Sequence, residues 1–174
     1  DMASSNPFGP TVAIALSSTE QVWMEQIPTK NIKVFNNIVV SEAGGIDFRR
    51  ASGLVTMSNV FTAHNSIVNC TKVGIAASVV NKSNMVFRNN IVYSASGVTL
   101  VNDGGQTQSG WTYSNNLYSS TPTALSGPND VIGNPLFRNA SSIPAAGQGN
   151  PANYQILEGS PAINAGFNVT EPKD

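Results

Sequence analysis

Residues Met85 to Leu100 read MVFRNNIVYSASGVTL, and the reading of this stretch decides the fold. It gives two short strands. Side chains in a strand alternate between its two faces. Met85, Phe87 and Ile91 therefore carry the apolar face of the first, and Val98 and Leu100 that of the second. Asn89 and Asn90 interrupt the alternation just before Ile91. The phrase recurs. Ile32, Val34, Asn36, Asn37, Ile38 and Ile46 form one copy, and Phe61, Ala63, Asn65, Ser66, Ile67 and Ile75 another. Trp111, Tyr113, Asn115, Asn116, Leu117 and Leu125 form a further copy. The anchors Ile38, Ile67, Ile91 and Leu117 are separated by 29, 24 and 26 residues. A period of that size marks a solenoid. Each copy is strand, bend, strand with no helical pattern between, so the expectation is a coil of strands that stack.

Counting back two residues from each anchor gives Asn36, Asn65, Asn89 and Asn115. Asn tolerates the left-handed backbone conformation, and its amide bonds to neighbouring backbone. In coils stacked about 4.8 Å apart, equivalent Asn side chains also bond one another. A structural Asn ladder through these four residues is therefore expected. The second apolar site is Ile46, Ile75, Val98 and Leu125. Gly45, Gly74 and Gly97 precede the first three of these and suit a bend of positive φ.

Composition agrees. The chain has 174 residues, enough for one domain with a core. Only 11% are charged, against a usual ~25%, while 40% are hydrophobic, which excludes a disordered chain. The formal net charge of −1 gives no electrostatic reason to expect a nucleic-acid partner. A single cysteine, Cys70, rules out an internal disulfide. No apolar run reaches ~18 residues, so no membrane-spanning helix is expected.

The ends differ from the middle. Residues 1–30 read as a lead-in and an incomplete first coil, with a strand over Thr11–Leu16 and an apolar cluster at Val22, Trp23, Met24 and Ile27. Coils occupy 31–132. Residues 133–174 read as an irregular cap and tail over the last coil. The start at Asp1 reads as a processed chain or a piece of something longer.

The phrases HNSIVN (His64–Asn69) and RNNIVY (Arg88–Tyr93) resemble the coil signature of right-handed parallel β-helix proteins of the pectate-lyase-like superfamily. GNPLF (Gly133–Phe137) and GSPAINAG (Gly159–Gly166) resemble the C-terminal part of bacterial extracellular, including surface-anchored, β-helix proteins. The resemblance implies the fold. It leaves activity open, because such proteins include lyases, glycoside hydrolases, epimerases, adhesins and tailspikes. It also implies a secreted or cell-surface location.

Few residues offer chemistry. β-Elimination of an acidic sugar needs a base and a cation that neutralises the carboxylate. His64 and Arg88, expected on adjacent coils, are the candidates, with Lys33 or Lys72 as further cations. Two solvated polar side chains would look the same. Glycoside hydrolysis needs two carboxylates about 5–9 Å apart. Asp47, expected to face outward, has Ala76 and Thr99 at the equivalent positions. Asp103 in VNDGG reads as a turn residue. No metal cluster can be assembled from one His, one Cys and scattered acids, although Asp47 or Asp103 with backbone carbonyls leaves room for calcium. Asn69, Asn81, Asn139 and Asn168 each begin a glycosylation sequon.

The expected fold is all-β: a right-handed single-stranded parallel β-helix of about five to six coils. The expected function is a non-catalytic extracellular structural or adhesive module, of which a glycosylated filament or surface-layer subunit assembling end to end is one form. The alternative is a fragment of a polysaccharide-active enzyme, a lyase before a hydrolase. No cofactor is expected. Expected partners are further chain or another copy at the N-terminal end, and carbohydrate.

Overall fold

A computed structural model describes residues 12–17, 28–40, 43–49, 56–141 and 149–168. The strands, in chain order, are β1 (Val12–Ser17), β2 (Thr29–Phe35), β3 (Ile38–Val40), β4 (Gly44–Arg49), β5 (Met57–Ala63), β6 (Ser66–Val68) and β7 (Val73–Ala76). Then come β8 (Lys82–Arg88), β9 (Ile91–Tyr93), β10 (Thr99–Asn102), β11 (Trp111–Ser114), β12 (Leu117–Tyr118) and β13 (Val131–Ile132). All named pairings are parallel. They build three sheets. The first runs β2-β5-β8-β11, the second β3-β6-β9-β12-β13, and the third β1-β4-β7-β10. The chain visits them in that order, once per turn. The result is a parallel β-solenoid of about 3 turns, fewer than the five to six expected. The shortfall lies at the ends. β1 is the last strand of a preceding turn, and after β12 only β13 continues a sheet.

Apolar side chains at alternate positions fill the interior in columns. Ile32, Val60, Met85 and Trp111 stand in register on the first sheet. Val39, Ile67, Val92 and Tyr118 do so on the second, and Ile46, Ile75 and Val101 on the third. These residues belong to one core cluster, with Ile32 partly buried against it. Val98 is half-buried outside the third column, so Val101 takes the place expected for it.

The glycines before the third-sheet column serve a different purpose from the one expected. Gly45 and Gly74 lie inside β4 and β7 without positive φ; of the three, only Gly97 has it, at 87°. A Cβ on Gly45 would stand 2.3 Å from the Gly74 carbonyl oxygen and 2.4 Å from Ile67 Cγ2. A Cβ on Gly74 would stand 2.6 Å from Val92 Cγ1. Both are small because the sheets approach closely there.

The C-terminal segment is not primarily a lid on the last coil. Residues 119–130 close that end: Leu125 enters the core, Tyr118 Oη donates to the Leu125 carbonyl (2.6 Å), and Thr123 Oγ1 donates to the Val101 carbonyl (2.6 Å). Beyond β13 the chain runs back along the outer face of the second sheet. Phe137 packs edge-on against Tyr93, with ring centroids 6.0 Å apart, and Tyr154 packs against Phe137 at 6.3 Å. Val68 faces outward on β6, yet it is fully buried in this second cluster. The segment folds on itself through an antiparallel bridge between Phe137 and Ile156. It therefore acts as a strap. A second sheet with apolar outward residues on successive coils needs such cover.

The strand expected over Thr11–Leu16 is found as β1, paired with β4. Val22, Trp23, Met24 and Ile27 lie outside the described residues.

Candidate functional site

The bend between the first and second sheets carries the polar order of the molecule. Its first residue is Asn36, His64, Asn89 or Asn115, with φ of 54–58°. Asn favours this region, which explains the residue type. The next residue points inward and forms the hydrogen-bonded ladder. Asn37 Nδ2 donates to Asn65 Oδ1 (2.9 Å), Asn65 Nδ2 to Asn90 Oδ1 (2.9 Å), and Asn90 Nδ2 to Asn116 Oδ1 (3.1 Å). The backbone N–H of each of these residues donates to the same oxygen. Asp130 ends the column, accepting from Asn116 N (2.7 Å) and Asn116 Nδ2 (3.3 Å), while its other oxygen accepts from Gly127 N (2.7 Å). Burial pushes the Asp130 carboxyl above its usual range, more than these hydrogen bonds pull it down.

The ladder thus runs through Asn37, Asn65, Asn90, Asn116 and Asp130. Of the four residues expected in it, Asn65 is a rung. Asn36, Asn89 and Asn115 are the left-handed residues one place earlier. The register explains the offset: Ser66, not Ile67, pairs with Ile38 and Ile91.

Sequence reasoning also missed a second, exposed ladder. Asn31, Asn59 and Asn84 all have positive φ (60°, 53° and 50°) inside β2, β5 and β8. Asn84 Nδ2 donates to Asn59 Oδ1 (2.9 Å), and Asn59 Nδ2 to Asn31 Oδ1 (3.1 Å). Gly110, with φ of 85°, holds the place before Trp111 on the next coil. The signal was present as an Asn one residue before the apolar run in three coils.

His64 and Arg88 do not form a pair. Arg88 stands opposite Ala63, whereas His64 Nε2 lies 3.3 Å from Asn89 Nδ2. They line different cavities. His64 faces a small one of about 150 Å³ under the strap, shared with Asn89, Ile156 and Ala165. Arg88 faces an open groove of about 510 Å³ with Thr112, Tyr113, Asn129 and Phe167. Its guanidinium lies 5.5 Å from the centre of the Phe167 ring, a cation–π contact. Asn89 fixes Phe167 there, accepting from its N–H (2.8 Å) and donating to its carbonyl (2.7 Å). Lys33 and Lys72 line neither cavity.

The acids are placed as follows. Asp47, expected to face outward, is 1% exposed. Asp103 is a turn residue, as read: its carboxylate accepts from Gly105 N (2.9 Å) and Gln108 Nε2 (2.7 Å). Among the described residues no group of three or more His, Cys, Asp or Glu is placed to hold a metal ion. Cys70 is buried, and its thiol is pushed up to about 12 by desolvation. Of the sequon residues, Asn139 and Asn168 are exposed and Asn81 is half-buried. Asn69 is half-buried, with its amide donating to the Ala140 carbonyl on the strap. Val169 and Thr170 of the last sequon lie outside the described residues. No described helix is long and apolar enough to cross a membrane.

Comparison of the chain with protein-family models, curated proteins and solved structures returns no match.

Proposed function

We propose that this chain is a non-catalytic structural or adhesive module, secreted or displayed at a cell surface, in which the stacked coils supply a rigid rod. The observation that carries the reading is the placement of the two residues best suited to lyase chemistry. His64 and Arg88 face different cavities, and Arg88 is engaged with Phe167 of the strap. A base and a cation must act on one sugar, so residues held apart in this way do not serve that step together. Asp47 is buried and cannot reach a polymer on the surface. The ladders and the apolar columns support a role in which stiffness is the property used. Glycans on exposed Asn139 or Asn168 fit the same setting.

The test is incubation with pectate, alginate and chondroitin, with unsaturated sugar ends followed by ultraviolet absorbance. No product is expected. Product formation that is lost in His64→Ala, with the fold intact by circular dichroism, establishes the enzyme reading instead.

A further inference from the structure

The left-handed residues that open each bend also clasp the strap, and one coil departs from their pattern. Asn115 Nδ2 donates to the Ala165 carbonyl (3.0 Å), and Asn89 takes both backbone groups of Phe167. Three coils place Asn at this position, and the fourth places His64, with the same φ (56°). The backbone there asks for nothing that Asn would not supply. The bonds to Phe167 fix which way the Asn89 amide faces. Oδ1 accepts from the Phe167 N–H (2.8 Å), and Nδ2 donates to the Phe167 carbonyl (2.7 Å). Turning the amide over would set oxygen against oxygen and N–H against N–H. The second hydrogen of Nδ2 is thus left for His64 Nε2, 3.3 Å away. A ring nitrogen that accepts carries no proton, so the clasped strap selects the neutral imidazole with its hydrogen on Nδ1. An imidazolium donates from both nitrogens and sets Nε2–H against Nδ2–H. It also brings positive charge to a segment on which the Arg88 guanidinium already lies, 5.5 Å from the Phe167 ring centre.

The geometry points to a proton-released latch: protonation of His64 loosens the Asn89–Phe167 clasp and frees the end of the strap. The clasp is complete with His64 neutral. It weakens as pH falls through the range, about pH 8 to 5, in which histidine ordinarily gains its charge. Release lifts Phe167 from Arg88 and opens the cavity that Ala162, Ala165 and Gly166 cover. The ring contacts of Phe137 do not involve His64 and keep the rest of the strap in place. Among the residues lining that cavity, His64 is the one titratable side chain. The elements around it carry Lys33 on β2, Arg88 on β8, Tyr113 on β11, Asp130 at the end of the ladder, and Arg138 and Glu158 on the strap, and none of these lines the cavity. Asp130, whose carboxyl burial pushes up, is the other group that bears on the test, since it is joined to this bend through Asn116.

The latch goes beyond the structural-module reading and does not depend on it. The experiment is nuclear magnetic resonance of the isotope-labelled full chain at about pH 8 and about pH 5. The His64 ring nitrogens report the tautomer, and the Phe167 amide reports the clasp through its protection from exchange, taken relative to the intrinsic rate at each pH. At the higher pH the expected result is the Nδ1–H tautomer and a protected Phe167 amide. At the lower pH protection should fall about fivefold, the size of one lost hydrogen bond. His64→Asn restores the residue of the other coils and does not titrate, so its Phe167 amide should be equally protected at both pH values. Several results overturn the proposal: an Nε2–H tautomer at the higher pH, a Phe167 amide unprotected there, or equal protection of the unsubstituted chain at both. So does a fall of the same size in His64→Asn, which would pass the effect to Asp130. The tautomer and the protection are read on the unsubstituted chain, so the test stands even where the variant fails to fold.

Discussion

Replacing Asn90 by alanine probes the buried ladder at its centre. Asn90 is 1% exposed and makes contacts on three coils. Its Nδ2 donates to Thr62 O (3.1 Å), Arg88 O (2.9 Å) and Asn116 Oδ1 (3.1 Å), and its Oδ1 accepts from Asn65 N (3.1 Å) and Asn65 Nδ2 (2.9 Å). Not every partner is stranded by the change. Asn65 Nδ2 keeps the Val34 and Ala63 carbonyls, and Asn116 Oδ1 keeps Asn90 N. The backbone N–H of Asn65 loses its acceptor, Asn90 Oδ1, in a site closed to water. A stranded buried donor costs about 1–3 kcal/mol, and the weakened carbonyls and small cavity add to it, so roughly 2–4 kcal/mol is expected. For a chain of this size that corresponds to a fall in melting temperature of about 5–15 °C. The comparison is Asn89→Gly, one residue earlier. Glycine accepts the φ of 54° there, and only the partly exposed bonds to Phe167 and His64 are lost. Thermal melts by circular dichroism compare the two. Equal melting temperatures for Asn90→Ala and Asn89→Gly would refute the claim that the inner column carries the stability.

Three further outcomes are expected. Gly45→Ala should lower the melting temperature well below that of Gly133→Ala, because its Cβ meets backbone oxygen at 2.3 Å while a Cβ on Gly133 meets only Pro161 Cγ at 3.5 Å; similar melts for the pair would contradict the close-approach argument. Phe137→Ala should release the strap, so that limited proteolysis cuts within 134–168 while the coils persist; unchanged cleavage would show that the two aromatic contacts do not hold it. Cys70 should resist a thiol reagent at pH 8 in the folded chain and react on denaturation, since a thiol at about 12 is almost wholly protonated there; rapid native labelling would show that the site opens.

The sequence made the solenoid legible because its strands keep a period of two and its coils repeat. It did not make the register legible. The outward position that begins each second-sheet strand is Ile38, Ser66, Ile91 and Leu117, and Ile38 is 46% exposed. Apolarity is not required there, so aligning coils on an apolar anchor slipped one of them by a residue. The dense core column is one place later, at Val39, Ile67, Val92 and Tyr118. Adjacent asparagines added to the ambiguity: in Asn89-Asn90 one residue satisfies backbone conformation and the other satisfies buried hydrogen bonds, and composition does not say which. The pairing of His64 with Arg88 failed for the same reason, since the slipped alignment set Arg88 beside His64, where the true register sets Asn89. The strap was beyond reach because its contacts join residues far apart, such as Asn89 and Phe167, with no shared pattern.

The strap gives the molecule a mechanical sequence of events. Tension applied from the C-terminal side reaches the Asn89–Phe167 bonds before it reaches any coil. Those bonds and the Phe137 ring contacts are loaded one after another, in peeling, whereas the ladders join whole turns and resist together. Residues 134–168 would pay out first, 35 residues of slack, or about 120 Å when fully drawn. The rod would keep its length while the strap absorbed the pull.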